Sequence, residues 1–386
     1  MRGAAGGCRI AIGAGGMLGL YLIGWLFQAM FLADPILMAA DCGNTFLRLG
    51  SNEGSGDSSS SSSNTAVANI DMDPADIMNL PDFVGSGQVD CAELQANAKS
   101  GDLRDPNAGE MYSRELRLKP AFQMSVHNEQ YDPVRWKTIY KKGRYYEGHV
   151  HDRFVKILEG HPNSILLDVG ANIGYFTLLT KSLGQHNKVV SFEVNPLNIL
   201  RLCESLDLNQ WQSDVAIFHN GVFNKHGEKL MIDIPAENPG KASLMTHTTK
   251  RNKGSGTYTT TVTLDQFAQE RNWFVDRDLK IAILKIDVEG REPAIIEGAA
   301  TLLKSGLVEN ILTELRDLKK DEKVKAALQT ILEAGYVLVN YDAKKGGNKK
   351  MTTEETDAEI QQMLQTAKGR GTVDLWFQRE ELPNPF

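Results

Sequence analysis

The chain has 386 residues, which is enough for one large domain with extra segments or for two domains. Hydrophobic residues make up 41% of it and charged residues 24%, and the formal net charge of −7 argues against a nucleic-acid binder that works through a general basic surface. Its four cysteines, with no C-x-x-C pair, are too few for a disulfide scaffold and disfavour a structural zinc site.

The first predicted element is an apolar segment near the N-terminus. No charged residue occurs between Arg9 and Asp34. A helix over residues 10–33 is long enough to cross a bilayer at about 1.5 Å per residue. Arg2 and Arg9 precede the segment, and positive residues prefer the cytoplasmic side of a membrane.

This charge pattern predicts a single-pass type II membrane protein. Residues 1–9 form a short cytoplasmic tail, residues 10–33 form an uncleaved transmembrane signal anchor, and the bulk of the chain lies across the membrane. A cleaved signal peptide has a shorter apolar core, which favours the uncleaved anchor. Cleavage after the Ala39–Ala40 region is the alternative.

A flexible stem and linker is predicted over residues 34–120. Its most polar part, Ser51–Ala66, is dominated by serine and glycine, which cannot bury enough surface to offset the entropy of ordering. Under the predicted topology, Cys42 and Cys91 lie in an oxidising lumen. A bridge between these two cysteines and two unpaired thiols are both open alternatives.

Residues 121–386 are predicted to form one domain in which apolar strands alternate with helices. Runs this apolar suit strands that are covered on both faces. The predicted parallel strands are residues 164–169, 188–194, 215–220, 281–287 and 308–315, and the predicted helices are residues 175–182, 198–208, 292–305 and 321–334. Two late strands, "YVLVN" and "TVDLWFQ", end the domain, and residues 227–262 are predicted to form a hairpin-type insertion. The alternation predicts an open α/β sheet.

The stretch "ILLDVGANIGYFTLL" is predicted to be a strand, a tight glycine turn and a helix. Gly170 and Gly174 let the backbone turn sharply and approach a ligand, and Asp168 ends the strand, where ligands of open α/β sheets bind. The dinucleotide pattern G-x-G-x-x-G fails here because Asn172 and Tyr175 stand where glycines are required. A Gly-Lys-Ser/Thr sequence is also missing, so the P-loop pattern fails as well.

An acid at the end of the second strand completes the predicted nucleoside site. The carboxylate of Glu193 can accept hydrogen bonds from both hydroxyls of a ribose, although a solvated strand end is the simpler reading. The cofactor-binding candidates are Asp168, Gly170, Asn172, Gly174, Glu193, Asn195 and Asn220. Within this set, Asn195 shapes the adenosine pocket or only a turn, and Asn220 lies where the adenine is expected.

Four motifs carry a resemblance to a known family. The stretches "LLDVGANIGYFT", "VVSFEVNP", "TVTLDQF" and "LKIDVEGREPAIIEGA" resemble class I S-adenosylmethionine-dependent methyltransferases and, more narrowly, the FkbM family, over roughly Tyr145 to Gln378. The resemblance implies a Rossmann-like sheet, mostly parallel with an antiparallel last strand and helices on both faces. It also implies S-adenosylmethionine as the cofactor, and it leaves open whether a divalent metal takes part.

The catalytic candidates follow the predicted fourth strand. An alcohol acceptor must lose a proton during methyl transfer, so a carboxylate base helps. Asp287 is the first candidate for that base and Glu289 the second, and Lys285 could orient either one. The two acids lie two positions apart, so they point the same way in extended geometry. The alternative is that both only cap the next helix and satisfy amides of the loop. Glu314, another acid at this edge, contacts the acceptor or is only a strand end.

The predicted function combines the resemblance with the predicted topology. It is a membrane-anchored methyltransferase that methylates a hydroxyl, of a glycan or another acceptor, in the lumen of the Golgi or endoplasmic reticulum. Ser243 and Leu244 are expected to border the acceptor site, and Cys203 is expected in the core. An inactive methyltransferase-fold protein that binds a partner is the alternative, and a different nucleotide-using α/β enzyme is a third reading.

Overall fold

The domain is built around one large sheet, seen here in a computed structural model. The structure describes residues 87–117, 120–144, 148–184, 187–235, 238–245, 257–316, 318, 321–342, 347–366 and 372–384. The predicted tail, anchor, cleavage site and serine-rich stretch all lie outside these residues. Across the described ranges, no helix combines the length and the apolar character needed to cross a membrane.

The strands and helices alternate along much of the chain. The strands are β1 (Tyr112–Glu115), β2 (Gln123–Val126), β3 (Ile165–Val169), β4 (Lys188–Phe192), β5 (Val215–Phe218), β6 (Asn220–Val222), β7 (Lys229–Asp233), β8 (Ser243–Leu244), β9 (Tyr258–Val262), β10 (Ile281–Ile286), β11 (Asn310–Arg316), β12 (Tyr336–Asp342), β13 (Gly347–Lys350) and β14 (Thr372–Arg379). The longer helices are α1 (Cys91–Ser100), α2 (Gly148–Glu159), α3 (Tyr175–Ser182), α4 (Pro196–Asn209), α5 (Leu264–Glu270), α6 (Glu292–Glu297), α7 (Ala300–Lys304), α8 (Glu322–Glu333) and α9 (Thr353–Thr366).

The large sheet has eight strands in the order β13-β12-β14-β11-β10-β3-β4-β5. Strands β5, β4, β3, β10 and β11 pair in parallel. Strand β14 enters between β11 and β12 and pairs with both in the antiparallel sense. The prediction of a mostly parallel sheet with an antiparallel last strand is therefore confirmed.

Helices cover both faces of this sheet. Along β3, Ile165, Leu167 and Val169 pack into the core that contains α6, α7 and α8, while Leu166 packs into the core that contains α2, α3 and α4. Successive side chains of a strand point to opposite faces, so a strand covered on both sides is apolar along most of its length. Each buried Leu or Ile contributes about 1.5–3 kcal/mol to folding.

A second, smaller sheet has four strands in the order β6-β9-β7-β8. Its antiparallel β7–β9 pair confirms the predicted hairpin-type insertion. One detail of the prediction is wrong: the third strand of the large sheet, β5, ends at Phe218, and Asn220 begins β6 in the small sheet. The Asn220 side chain donates a hydrogen bond to the carbonyl oxygen of Thr260, which holds it on β9.

Residues 87–117, predicted as part of a flexible stem, are instead packed on the domain. The amide of Val89 donates to the carbonyl oxygen of Ile217 at 2.8 Å, and the amide of His219 donates to the carbonyl oxygen of Gly87 at 2.7 Å, so this segment covers the edge of β5. Farther along, Asp105 forms a buried ion pair with Arg201 of α4 at 2.6 Å. A predicted domain start at residue 121 is therefore too late in the chain.

A disulfide fastens the same segment to the core. Cys91 at the start of α1 is bonded to Cys203 of α4, with the Cα atoms 5.3 Å apart. Both open alternatives for Cys91, a bridge to Cys42 and an unpaired thiol, are therefore wrong. Cys203 is fully buried as expected. Sequence spacing did not show that α1 packs against α4 and brings the two cysteines together.

Candidate functional site

A cavity of about 300 Å³ opens at the carboxyl ends of β3, β4 and β10. Ligands of open α/β sheets bind at this edge. Seven of the predicted site residues line it: Gly170, Asn172, Glu193, Asn220, Lys285, Asp287 and Glu289. Asp168, Gly174 and Asn195 do not line it. Ser243, Leu244 and Glu314, expected near the acceptor, are also among its walls.

The glycine turn after β3 is shaped by its neighbours. Gly170 has φ +82°, and a β-carbon there would stand 1.9 Å from the carbonyl oxygen of Asp287. Asn172, with φ +55°, is also left-handed. The amide of Asn172 donates to Oε2 of Glu193 at 2.8 Å, so the turn is fixed on the acid of the next strand.

Glu193 is buried and held from several directions. Its Oε1 accepts hydrogen bonds from the Asn195 amide at 2.8 Å and from Nδ2 of Asn198 at 3.4 Å. Burial raises the pKa of this carboxyl, and the hydrogen bonds to Asn195, Asn172 and Asn198 oppose the rise. A carboxylate offers about four acceptor positions, so these three bonds leave capacity for a ribose hydroxyl.

Asn198 is in turn oriented by His127, which the sequence analysis missed. One ring nitrogen of His127, Nε2, lies 3.0 Å from Oδ1 of Asn198. Because an amide oxygen can only accept, we assign the proton to Nε2. Burial, and to a smaller extent the positive charge of Arg201, lowers the pKa of His127 to about 4. Nothing in the local sequence identifies His127 as a site residue, because only the folding of the β1–β2 hairpin brings it to α4.

The three predicted cofactor residues outside the cavity have supporting contacts. Asp168 is fully buried, and its Oδ2 accepts the hydroxyl proton of Thr177 at 2.8 Å. Gly174 begins α3, where a β-carbon would meet Leu202 of α4 at 2.3 Å. Asn195 caps α4 by accepting from the Leu197 amide. Their positions favour structural roles: they stabilise the glycine turn and the helices α3 and α4 that surround the site.

Lys285 connects the two sides of the site. This buried side chain lies 3.4 Å from Oδ1 of Asp168 and 3.5 Å from Oδ2 of Asp287, and it donates to the carbonyl oxygen of Gly170 at 3.3 Å. A buried ammonium needs such compensating partners. The predicted orienting role agrees with this placement between the two aspartates.

The predicted extended geometry of Asp287 and Glu289 is wrong. Strand β10 ends at Ile286, and Glu289 turns into the left-handed region with φ +59°. The two side chains therefore meet different partners: Asp287 pairs with Lys285, while Glu289 pairs with Arg316. Burial raises the pKa of Glu289, and the Arg316 charge opposes the rise.

Glu292 holds the loop that carries these acids. Its Oε1 accepts hydrogen bonds from the amides of Val288 and Gly290, both at 3.0 Å, and the side chain is fully buried. The alternative role considered for Asp287 and Glu289, satisfying loop amides, is thus performed by Glu292. The sequence contained a signal for it, because Glu292 is the last acid of the motif KIDVEGxE.

Residues 238–244 form a strap, and its residues from Gly240 to Leu244 line the cavity. Within the strap, the carbonyl oxygen of Gly240 accepts from Nδ2 of Asn172 at 3.1 Å, and that of Leu244 accepts from Nε of Arg291 at 3.1 Å. Arg135, buried and paired with Asp132 at 2.8 Å, packs against Gly240. The strap therefore bridges the glycine turn and the loop after β10.

Residues 168–338 match the family model of the methyltransferase FkbM domain. The chain carries an FkbM methyltransferase domain. The match begins at Asp168 and ends within β12, so it contains the glycine turn, Glu193 and the loop after β10. These FkbM residues form most of the cavity described above.

Individual proteins also match parts of this chain. Over 118 residues, 31% of this chain, it is 25% identical to a tRNA(Phe) (4-demethylwyosine(37)-C(7)) aminocarboxypropyltransferase of Methanocaldococcus jannaschii, and it spans 44% of that relative's length. The structure of M. jannaschii TYW2 in complex with AdoMet matches with 14% identity and a TM-score of 0.30, covering 70% of this chain and 88% of the other. An rRNA methylase from Streptococcus thermophilus matches with 11% identity and a TM-score of 0.34, covering 61% and 99%.

The predicted family and its cofactor, S-adenosylmethionine, are thereby confirmed for the FkbM domain. Whether a divalent metal takes part is addressed by the arrangement of the possible ligands. Among the residues that the structure describes, no three His, Cys, Asp or Glu side chains gather in a way that could hold an ion.

Proposed function

We propose that this chain is an S-adenosylmethionine-dependent methyltransferase that methylates a hydroxyl oxygen. The observation that carries the proposal is that Glu193, after β4, and Asp287, after β10, line one cavity on either side of the Gly170 turn in an FkbM domain. Glu193 retains acceptor capacity for a ribose, and the close approach at Gly170 leaves no room for a side chain on the floor of the turn.

The residues of the cavity divide the chemistry between them. S-adenosylmethionine, when bound, supplies an electrophilic methyl group on a sulfonium. Glu193 and the turn around Gly170 hold the nucleoside, and the cavity walls align the acceptor hydroxyl. Asp287, whose side chain is 35% exposed, accepts the hydroxyl proton, and Lys285 fixes its carboxylate from 3.5 Å.

Calorimetry and a transfer assay on the full chain test this proposal. S-adenosylmethionine should bind to the wild type, and Glu193→Ala should weaken binding by about tenfold to a hundredfold, because at least one charged hydrogen bond to the ligand is lost. Methyl-labelled S-adenosylmethionine should then label a hydroxyl acceptor. No binding by the wild type rejects the proposal, and binding without transfer to any acceptor favours the inactive binding protein.

The mass of the product separates methyl transfer from a related reaction. The matched M. jannaschii relative is named as an aminocarboxypropyltransferase. If the product is heavier than the methylated acceptor by the difference between an aminocarboxypropyl and a methyl group, the chain transfers the larger group and the methylation proposal is rejected.

We further propose that the domain acts in the lumen of the Golgi or endoplasmic reticulum, on a glycan hydroxyl, held by the anchor over residues 10–33. The uncharged N-terminal segment and the arginines before it support the anchor. The Cys91–Cys203 disulfide supports an oxidising compartment, because cytosolic thiols are kept reduced. Protease treatment of sealed microsomes should spare the domain, and its digestion there would place it on the cytosolic side instead.

A further inference from the structure

Five cationic side chains line the cavity, and three of them have carboxylate partners. Arg135 pairs with Asp132, Lys285 with Asp168 and Asp287, and Arg316 with Glu289 and Glu314. The charges of these three are therefore compensated by the protein itself.

Lys241 and Arg291 are different. Within the described ranges, neither side chain has a carboxylate oxygen within 4.0 Å, so neither forms an ion pair there. Arg291 donates Nε to the carbonyl oxygen of Leu244, which uses one of its five N–H donors. Lys241 acts on Glu289 only at longer range, where it opposes the rise in pKa that burial causes.

Both cations line the same cavity as Glu193 and Asp287. Arg291 belongs to the loop that carries Asp287, and Lys241 belongs to the strap. The hydrogen bond between Arg291 and Leu244 joins this loop to the strap on which Lys241 lies. An arginine fork fixed through Nε can still present its terminal nitrogens to a phosphate or carboxylate.

We propose that Lys241 and Arg291 form a subsite for an anionic group, a phosphate or a carboxylate, on the acceptor. This inference rests on the proposed methyltransferase function and narrows its substrate to hydroxyl compounds that also carry a negative charge. The anion replaces the carboxylate partner that these cations lack among the described residues and places the hydroxyl near Asp287.

Two binding measurements on the full chain test the subsite without requiring turnover. Inorganic phosphate is titrated calorimetrically into the protein with and without saturating S-adenosylhomocysteine, at low ionic strength. The wild type should bind phosphate in both cases, and Arg291→Gln and Lys241→Gln should each weaken binding about tenfold. Phosphate binding that is unchanged in both variants, or absent from the wild type, overturns the subsite.

Matched controls separate this effect from general charge loss. Arg277 and Lys323 are exposed and lie outside the cavity, so Arg277→Gln and Lys323→Gln change the net charge equally. Both should bind phosphate as the wild type does. Weakening in these controls equal to that in the cavity variants would show a general surface effect and reject the proposal.

An acceptor series identifies the anion and excludes a competing role. The kcat/KM values of a hexose, its monophosphate and the corresponding uronic acid are compared, and Arg291→Gln should lower the anionic-to-neutral ratio about tenfold while leaving S-adenosylmethionine affinity unchanged. A larger fall for the phosphate or for the uronic acid identifies the preferred anion. If S-adenosylmethionine affinity falls instead, Arg291 holds the methyl donor's own carboxylate, and the inference is wrong. If S-adenosylmethionine does not bind to the wild type at all, it is the proposed function that fails.

Discussion

The carbonyl oxygen of Asp287 lies 1.9 Å from the position that a β-carbon on Gly170 would occupy. The two loops are also joined through the backbone, since the Asp287 amide donates to the carbonyl oxygen of Val169 at 3.0 Å. The turn that shapes the nucleoside end of the cavity and the residue proposed as the base are therefore in direct backbone contact. A substitution that moves one of these loops is therefore expected to move the other.

Gly170→Ala should disrupt both loops. The new methyl group collides with backbone, which cannot rotate away, and alanine disfavours a φ of +82°. We expect a loss of about 3 kcal/mol or more in the free energy of unfolding, with loss of S-adenosylmethionine binding. Gly184→Ala is the matched control: φ there is +66° and nothing lies within 4 Å of a β-carbon, so only about 1 kcal/mol should be lost. Equal urea midpoints for the two variants would show that the collision is relieved.

Asp287→Asn should separate binding from chemistry. The amide keeps the shape of the side chain but cannot take a proton, so kcat should fall by about a hundredfold to ten thousandfold while S-adenosylmethionine affinity is retained. Glu289→Gln should cost much less, because Arg316 already occupies the Glu289 carboxylate. A variant at Asp287 with full activity, or a larger loss at Glu289, would move the base to another residue.

Cys91→Ser should destabilise the domain by removing a cross-link between distant parts of the chain. The bridged residues are 112 positions apart, and closing a loop of that size restricts the unfolded chain by about 4–5 kcal/mol in the entropy model. Urea unfolding with and without a reductant measures the effect. The reductant should lower the wild-type midpoint and leave Cys91→Ser unchanged, and a wild type that ignores the reductant would contradict the bridge.

His127→Gln should reduce the sensitivity of the domain to acid. The pKa of His127 is lowered to about 4 in the folded state from an ordinary 6.5, so the unfolded chain binds a proton that the folded chain rejects between these values. The stability it contributes is fully present above pH 6.5 and is lost as the pH falls towards 4, by up to about 3 kcal/mol. Unfolding free energies at pH 7 and pH 4.5 should therefore differ less in the variant than in the wild type. Equal differences would show that His127 titrates normally.

The strands of the large sheet could be predicted because local pattern and environment agree. A strand buried on both faces reads as a near-continuous apolar run, and β3, β4 and β10 do so apart from Asp168, Lys188, Ser191 and Lys285. Helix α3 begins and ends where the sequence predicts, directly after the glycine turn. The predicted helix over residues 292–305 is instead two helices, α6 and α7, and between them a β-carbon on Gly298 would stand 2.4 Å from the carbonyl oxygen of Phe223.

The parts that the sequence analysis missed depend on contacts between distant residues. The N-terminal segment was predicted as a stem because it mixes turn formers and acids with few apolar repeats, yet Asp105 forms an ion pair with Arg201. Cys91 gave no sign of its bond to Cys203. At the site, the residue types and their order along the strands could be predicted, but the left-handed turn at Glu289 and the partners of Lys285 required coordinates.

The pairing of Gly87–Val89 with β5 has a practical consequence for recombinant work. Shortened versions that begin at Tyr112 would strip this cover and leave an unprotected strand at the border of the large sheet, which is a template for self-association. They would also leave Cys203 as a lone buried thiol. Expression trials should therefore start upstream of Gly87, and insoluble protein from a later start would reflect the lost cover rather than an inability of the catalytic region to fold.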